Sequence, residues 1–384
     1  MAGIAVLALN LRAAITSLPP VFPELSARLH LSSTGITALA TVPVLCFGVF
    51  SVVAAPLSRR FGEERVLLGA LALITTGLVL RGALPGALLF PGTVLATGAI
   101  ALMNVLLPSL IKRRQPRRAG LLIGIYLLSL AVGAVFGSLL AVPAYRHAAA
   151  WLGGPVRFSL WLWAIPAAVA FLLWLPQSRY HTKPPAQPLP PRVSVAKHAL
   201  AWQVTAFMGL QSLSYYATLS WLPTLLQSRG ENASDAGNLL ALMNFGNAVT
   251  AMLIPVLAHR MAAQRSLVVP TVIATAAGIA GTLYAPLGGA WAWTLLLGLA
   301  QGAALGLGIF FTMARAPDPV AAASLSGLAQ GCGYLLATAG PLAVGLLHAA
   351  TGGWNIPVGL LLVLCVTELA AGWLAARDRV LPPA

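Results

Sequence analysis

Long apolar runs alternate with short polar connections along this chain, and the pattern predicts membrane-spanning helices. About 20 apolar residues allow a helix to cross a bilayer. On that length, the 384-residue chain contains twelve such segments. Prolines and glycines interrupt several of them, which transmembrane helices tolerate. The predicted segments are 2–22, 34–57, 66–84, 87–111, 119–142, 157–176, 199–226, 235–258, 267–286, 290–313, 322–348 and 354–376.

One long polar connection divides the twelve segments into two sets of six. It covers residues 177–198, and its prolines favour an extended polyproline II conformation over a packed domain. We therefore predict an N-terminal six-helix bundle at 1–176, a cytoplasmic linker at 177–198 and a C-terminal six-helix bundle at 199–384.

The two halves resemble each other in sequence. Residues recur at an offset of 200 around the first two connections of each half, and at an offset of 208 in the fifth segment. Tandem six-helix halves are expected to be pseudo-symmetric and to hold a solute near the membrane midplane. The matching pairs include Pro23 with Pro223, Leu57 with Leu257, Arg60 with Arg260, Arg65 with Arg265, and Tyr126 with Tyr334.

Basic residues are unevenly distributed between the two sides of the predicted membrane. The connections on one side carry 17 lysines and arginines, and those on the other carry five. Cytoplasmic loops are enriched in basic residues, so both termini are predicted to be cytoplasmic. The net charge of +15 is then a topology signal, and we expect no nucleic-acid partner.

The composition excludes a soluble enzyme. The chain is 59% hydrophobic and only 8% charged, with a mean hydropathy of +0.86, whereas soluble domains carry about 25% charged residues. The three cysteines fall inside apolar runs without metal or disulfide spacing, and the chain contains no phosphate-binding loop. We expect no cofactor or metal.

The first segment is too long for a cleaved signal peptide. We also expect that a short N-terminal stretch precedes it in the native protein.

Arg12, in the middle of the first segment, is the strongest candidate for solute binding. A charged residue at the centre of a spanning helix costs ~2.5 kcal/mol or more unless it meets water, an anion or a counter-charge. We expect Arg12 to face a cavity and bind an anionic or electron-rich solute, with Asn10 and Thr16 as polar neighbours. The alternative is a structural arginine that holds backbone carbonyls of neighbouring helices.

Further polar side chains recur at helical spacing within the apolar segments. Amide and phenol groups can donate to anions, and tyrosine rings can stack on flat solutes. The alternative is interhelical hydrogen bonding, at about 1 kcal/mol each. The candidates are Tyr126 in segment 5, Gln211, Tyr215 and Tyr216 in segment 7, Asn244 in segment 8, and Gln330 and Tyr334 in segment 11.

Two motifs give the chain a resemblance to the major facilitator superfamily, and within it to the cyanate/2-nitroimidazole permease branch. The first is Leu9-Asn10-Leu11-Arg12, followed by Thr16-Ser17 and Pro20. The second runs from Phe207 to Ser212, continues through Tyr215-Tyr216 and ends in Trp221-Leu222-Pro223. The resemblance implies the major facilitator fold, alternating access, a bacterial inner membrane, a monomer, and a cavity lined by helices 1, 4, 7 and 10.

The same resemblance points to a conformational latch in the loop after segment 2. The superfamily signature has an acidic residue where Arg59 stands, and basic residues where Glu63 and Glu64 stand. We expect a latch with altered partners, and a weaker one in the second half, where Ala262 replaces a glycine. The alternative is a plain topology loop. The predicted latch residues are Arg59, Arg60, Gly62, Arg65, Arg260 and Arg265.

Glu368 lies within segment 12 and has two interpretations. The first is a role in proton coupling. Because helix 12 is peripheral in the superfamily, we prefer the second, a structural role in which Glu368 pairs with a group in a cytoplasmic loop.

These observations together predict a secondary transporter for a small anionic or flat polar solute, with Arg12 as the central binding group. Two alternatives stay open. One is a broad-specificity efflux pump for hydrophobic drugs, which would tolerate replacement of Arg12. The other, more remote, is a membrane sensor that binds a solute without transporting it.

Overall fold

A computed structural model describes residues 2–147, 154–179, 195–261 and 264–382, and it contains only helices and connections in these ranges. The α-helices, numbered in chain order, are α1 (Ala2–Thr16), α2 (Phe22–Leu29), α3 (Ser33–Phe61), α4 (Glu63–Ala83), α5 (Pro85–Arg114), α6 (Ala119–Arg146), α7 (Gly154–Trp161), α8 (Ala164–Trp174), α9 (Ala199–Ser228), α10 (Ala233–Arg260), α11 (Arg265–Tyr284), α12 (Ala290–Ala314), α13 (Pro319–Thr351) and α14 (Asn355–Ala375).

Eleven helical segments in the described part of the chain are long and apolar enough to cross a membrane. The remaining predicted segment, the seventh, is helix α9, which is not among the eleven although its 30 residues exceed the required length. Its glutamines, serines and threonines lower its hydropathy, and these include the candidate Gln211. The predicted all-helical membrane architecture is confirmed.

Two predicted segments are interrupted by proline. The first continues beyond residue 22 and spans Gly3–Leu29, because the chain leaves α1 after Thr16, makes a 3-10 turn at Pro19–Val21 and re-enters a helix as α2. The sixth is divided into α7 and α8, with Pro166 in the first turn of α8. Proline lacks a backbone N–H, so it is tolerated at the start of a helix and breaks its interior.

The helices form two compact units. One comprises Met1–Gln187 together with Asn232–Ala241, and the other comprises Pro188–Glu231 together with Leu242–Ala384. Helix α10 therefore begins in the first unit, where a Cβ on Gly237 would lie 3.1 Å from the backbone oxygen of Ser138. The predicted bundle boundaries at 176 and 199 stay a prediction, and linker residues 180–194 lie outside the described residues.

Glycines bring helices together in the first unit. A Cβ on Gly77 of α4 would lie 2.7 Å from the backbone oxygen of Gly92 in α5. A Cβ on Gly92 would likewise lie 2.6 Å from the backbone oxygen of Gly77. On α6, Gly133 lies directly against the Leu9 carbonyl of α1, and Gly137 lies against Thr16. Small residues permit close backbone approach, which drives helix packing inside membranes.

The second unit repeats these pairings with different residues. Helix α9 packs on α13, where Gly340 lies against the Leu213 carbonyl, and α11 packs on α12, where Gly278 lies against Leu297. The pairing of segments 1 and 5 in the first half thus matches the pairing of segments 7 and 11 in the second. The pairing of segments 3 and 4 matches that of segments 9 and 10 in the same way. The internal repeat of the sequence has a counterpart in helix packing.

We expect Gly133→Ala to destabilise the protein, because the added methyl group would meet the Leu9 carbonyl and force α6 away from α1. The midpoint of thermal unfolding in detergent measures this effect. Gly124→Ala on the same helix is the matched control, since its Cβ would meet nothing within 4 Å and alanine favours a helix by about 1 kcal/mol over glycine. Equal midpoints for the two variants would contradict this packing.

Candidate solute-binding residues

Three helices of the first unit bring polar groups together around Arg12. Arg12 is half-buried in the middle of the first span, on α1. Its charge acts on the phenol of Tyr126, a buried residue of α6. The Tyr126 hydroxyl donates to the side-chain oxygen of Asn104 on α5, at 3.2 Å. We call Arg12, Asn104 and Tyr126 the N-terminal polar cluster.

Asn10 and Thr16, predicted as polar neighbours of the solute, hydrogen-bond neighbouring helices. The Asn10 amide donates to the Val6 carbonyl at 2.7 Å and to the Pro166 carbonyl at 3.1 Å, which joins α1 to α8. Thr16 is 0% exposed, and its hydroxyl donates to the carbonyls of Arg12 and Ala134. Their solute-binding roles stay predictions.

Arg81 holds backbone carbonyls of neighbouring helices. It was counted among the five basic residues of the less basic side, yet it is 1% exposed near the end of α4. Its guanidinium donates to the carbonyl of Ala14 at 3.3 Å and to that of Leu160 at 3.2 Å, which ties α4 to α1 and α7. The signal was available, because Arg81 falls inside the predicted segment 66–84 and not between segments.

The second unit contains an aromatic group built from α9, α10 and α13. The hydroxyl of Tyr215 donates to the side-chain oxygen of Asn244 at 3.0 Å. The ring centroids of Tyr215 and Tyr216 are 5.2 Å apart, and those of Tyr216 and Tyr334 are 6.3 Å apart, both edge to face. We call these four residues the C-terminal aromatic cluster. Four candidates from three predicted segments are thus brought together.

Two glutamine candidates have local partners. The buried Gln211 amide donates to the Met208 carbonyl at 3.1 Å and to the Ser212 hydroxyl at 2.6 Å, both on its own helix. Gln330 is exposed and donates to Ser326, one turn earlier on α13. None of these partners belongs to the C-terminal aromatic cluster, and the solute-binding roles of both glutamines stay predictions.

The loop after α3 places its arginines at the surface. Arg59, Arg60 and Arg65 are all exposed, and the Arg60 guanidinium lies 5.1 Å from the centroid of the Phe61 ring. Gly62 ends α3 with a φ of 85°, a conformation that favours glycine. It therefore has a clear role in the turn. A latch role for the three arginines stays a prediction.

The two acidic residues that follow carry the ion pairs of this region. Glu63 pairs with Arg113 at 3.4 Å and also accepts from the Ser109 hydroxyl, while Glu64 pairs with Arg114 at 3.2 Å. Both carboxylates are buried at the start of α4, and both arginines end α5. The reversed charge order seen in the sequence thus has a physical counterpart, a double ion pair within the first unit.

The corresponding region of the second unit uses a different arginine. Arg260 is exposed, and Arg265 donates to the Trp373 carbonyl at 3.3 Å, whereas Ala262 lies outside the described residues. The buried Arg315 donates to the Ala375 carbonyl at 3.0 Å and to Gln264 at 2.8 Å. Burial lowers the pKa of the Arg315 guanidinium, and the Asp378 carboxylate opposes this effect. Arg315 was predicted only as a loop charge.

Glu368 is 1% exposed on α14. Its Oε1 atom has no hydrogen-bond partner among the described residues, so the structure does not supply the expected loop partner for this atom. The proton-coupling role stays a prediction.

A comparison with protein families identifies the chain. The sequence model of the Major Facilitator Superfamily matches residues 4–341. The chain belongs to the Major Facilitator Superfamily. It is therefore a multi-pass membrane protein and a secondary transporter that works by alternating access, and it is not an enzyme.

Curated relatives within the superfamily are similar over nearly the whole chain. The "2-nitroimidazole transporter" of Escherichia coli (strain K12) is 38% identical over 99% of this chain and 95% of its own length. The "Cyanate transport protein CynX" of the same organism is 28% identical over 90% of this chain and 89% of its own. The branch that the two sequence motifs indicated is confirmed.

Solved structures show the same fold. A bacterial homologue of the human lysosomal transporter Spinster, in an inward-facing and occupied conformation, aligns with a TM-score of 0.81 at 16% sequence identity. The alignment covers 100% of this chain and 98% of that one. The predicted major facilitator fold is confirmed, and at this identity the comparison concerns the fold alone.

The double ion pair generates a stability prediction. We expect Glu64→Gln to lower the midpoint of thermal unfolding, because removing one partner of a buried, hydrogen-bonded charge pair costs ~1–3 kcal/mol. Glu231→Gln is the control, since Glu231 makes no ion pair among the described residues. The interpretation would be wrong if the two variants unfolded at the same temperature.

Proposed function

We propose that this transporter carries a small anionic or flat polar solute, of the cyanate or nitroimidazole kind, and that Arg12 is the group that binds it. The observation that carries the proposal is a half-buried arginine in the middle of a membrane span, in the same unit as the Tyr126 phenol, which is hydrogen-bonded to the Asn104 amide. Relatives named for 2-nitroimidazole and for cyanate support the class of solute.

The chemistry of the N-terminal polar cluster suits an anion. A guanidinium presents five N–H donors in a planar fork that matches small anions with two acceptor atoms. The Tyr126 hydroxyl donates to the Asn104 side chain, and this bond fixes the ring. A bound anion would offset the cost of an arginine at this depth, which is why a charge within a span favours a solute-binding role.

The C-terminal aromatic cluster suits a flat ring. Aromatic rings prefer offset or edge-to-face contacts at 4.5–7 Å, each worth about 0.5–1.5 kcal/mol beyond the area buried. Three tyrosines in this geometry, one of them bonded to Asn244, present aromatic rings and hydroxyl groups. We propose that this cluster contributes ring contacts to the recognition of flat solutes.

We further propose a bacterial inner-membrane location with both termini in the cytoplasm, and a monomer as the transporting form. The orientation is supported by the 17 basic residues on one side against five on the other. The exposed Arg59, Arg60 and Arg65, next to the buried acidic pair, support a conformational role for the loop after α3.

Replacing Arg12 is the decisive binding experiment. We expect Arg12→Ala to weaken cyanate binding about tenfold or more, since a hydrogen bond to a charged group is worth ~1.5–3 kcal/mol and 1.4 kcal/mol is tenfold in affinity. Calorimetric titration of purified protein measures this. Arg12→Lys should retain part of the affinity, and Arg28→Ala, at the exposed end of the same span, should retain all of it. Unchanged affinity in Arg12→Ala would instead favour a broad-specificity pump.

The aromatic cluster is tested by comparing two solutes. We expect Tyr334→Leu to weaken 2-nitroimidazole binding by about two- to tenfold, the value of one ring contact. Cyanate has no ring and should bind as before. Tyr284→Leu, an exposed tyrosine of the same unit, serves as the control. An equal loss for both solutes would show that Tyr334 acts only through stability.

A further inference from the structure

The first unit contains a cavity that the proposed function does not use. It measures about 380 Å³ and lies among the ends of α1, α5, α6 and α8. Cavities of 300–1,000 Å³ are typical of ligand sites. None of the residues of the N-terminal polar cluster is on its wall, so it is distinct from the proposed solute-binding residues.

The cavity lies at a boundary of the membrane. Three spans begin or end at its wall, at Gly3, Arg114 and Gln177, and a fourth begins at Pro116, between the lining residues Gln115 and Arg118. The basic run of residues 112–118, with Lys112, Arg113, Arg114, Arg117 and Arg118, adjoins the cavity. Positive charge at span ends marks the cytoplasmic side, and lipid headgroups occupy this depth on the cytoplasmic leaflet.

The charged residues on the cavity wall are both positive. Arg114 and Arg118 line it, and its lining contains no carboxylate. Arg114 is held by Glu64 at 3.2 Å and by the side-chain oxygen of Gln177 at 3.1 Å, which orients its guanidinium at the wall. Arg118 is exposed and makes no ion pair among the described residues. This arrangement suits a phosphate group.

Apart from Gln115 and Gln177, the rest of the wall is largely apolar, and it reaches the protein surface. Ile4, Leu107, Leu110 and Leu122 line it, together with Leu173. Leu173 is 49% exposed, so the wall continues onto the outer face of α8. Trp174, also on the wall, donates its indole N–H to the Glu64 carbonyl at 3.3 Å. A free inorganic anion would gain nothing from this leucine surface, whereas an acyl chain would bury methylene groups against it at about 0.8 kcal/mol each.

We propose that this cavity binds the headgroup of an anionic phospholipid from the cytoplasmic leaflet. The phosphate lies between Arg114 and Arg118, and the upper part of an acyl chain lies along the apolar wall and leaves past Leu173. Basic pockets between spanning helices on the cytoplasmic side are suited to such headgroups.

The experiment measures lipid binding to the purified full-length chain by native mass spectrometry, with phosphatidylglycerol and phosphatidylcholine of identical acyl chains. We expect phosphatidylglycerol to bind more tightly. Arg118→Gln should weaken its binding about fivefold, the effect of ~1 kcal/mol from one basic residue. Arg117→Gln, an exposed neighbour that is not on the cavity wall, should retain it. Both arginines lie outside the double ion pair, so folding should be unaffected.

Three outcomes would overturn the proposal. Equal binding of the two lipids would remove the role of charge. An equal loss in Arg117→Gln and Arg118→Gln would indicate general attraction to the basic surface. Inorganic phosphate or glycerol phosphate displacing phosphatidylglycerol at equal concentration would show an anion site that does not use the apolar wall. None of these outcomes bears on Arg12, so the proposed function is tested separately.

Discussion

The structure depends on one constraint, that a polar group inside a bilayer must find its hydrogen-bond partner within the protein. Two nitrogens of the Arg81 guanidinium meet it with backbone carbonyls, while the Arg81 Nε atom has no partner among the described residues. Asn10 and Thr16 meet it by joining α1 to α8 and α6. These groups bind helix to helix where lipid offers no hydrophobic driving force between helices. Much of the polar content of the spans is therefore structural.

Arg12 differs from these residues in its surroundings. Arg81 is fully buried against carbonyls, whereas Arg12 keeps partial exposure at mid-span and acts on the Tyr126 phenol. A charge at this depth is most stable when an anion approaches it. If Arg12 binds the solute as proposed, binding would also relieve the cost of the arginine, and this would give the transporter a physical reason to change state when it is loaded.

The architecture was predictable from sequence because it depends on length and hydropathy, which are additive along the chain. The helix interruptions at Pro19 and Pro166 were not predicted, since a hydropathy window averages over them. Among the site candidates, helical spacing selected polar residues within the spans, but it could not distinguish a solute-facing amide from one bonded to its own helix, as Gln211 is. Arg81 was counted with the connections although it falls inside a predicted segment, whereas the burial of Arg315, just after α12, could not be read from composition. The pairing of Glu64 with Arg114 joins residues 50 positions apart and needed the fold.

The most direct test of the central claim is the accessibility of position 12 to water and solute. It uses an Arg12→Cys variant in which the three native cysteines are replaced by alanine, and it measures the reaction rate with a small hydrophilic thiol reagent. The comparison is Ala8→Cys, a position on the same helix that is 0% exposed. We predict that position 12 reacts readily and that 2-nitroimidazole slows the reaction. Position 12 reacting as slowly as position 8, with or without solute, would contradict the account.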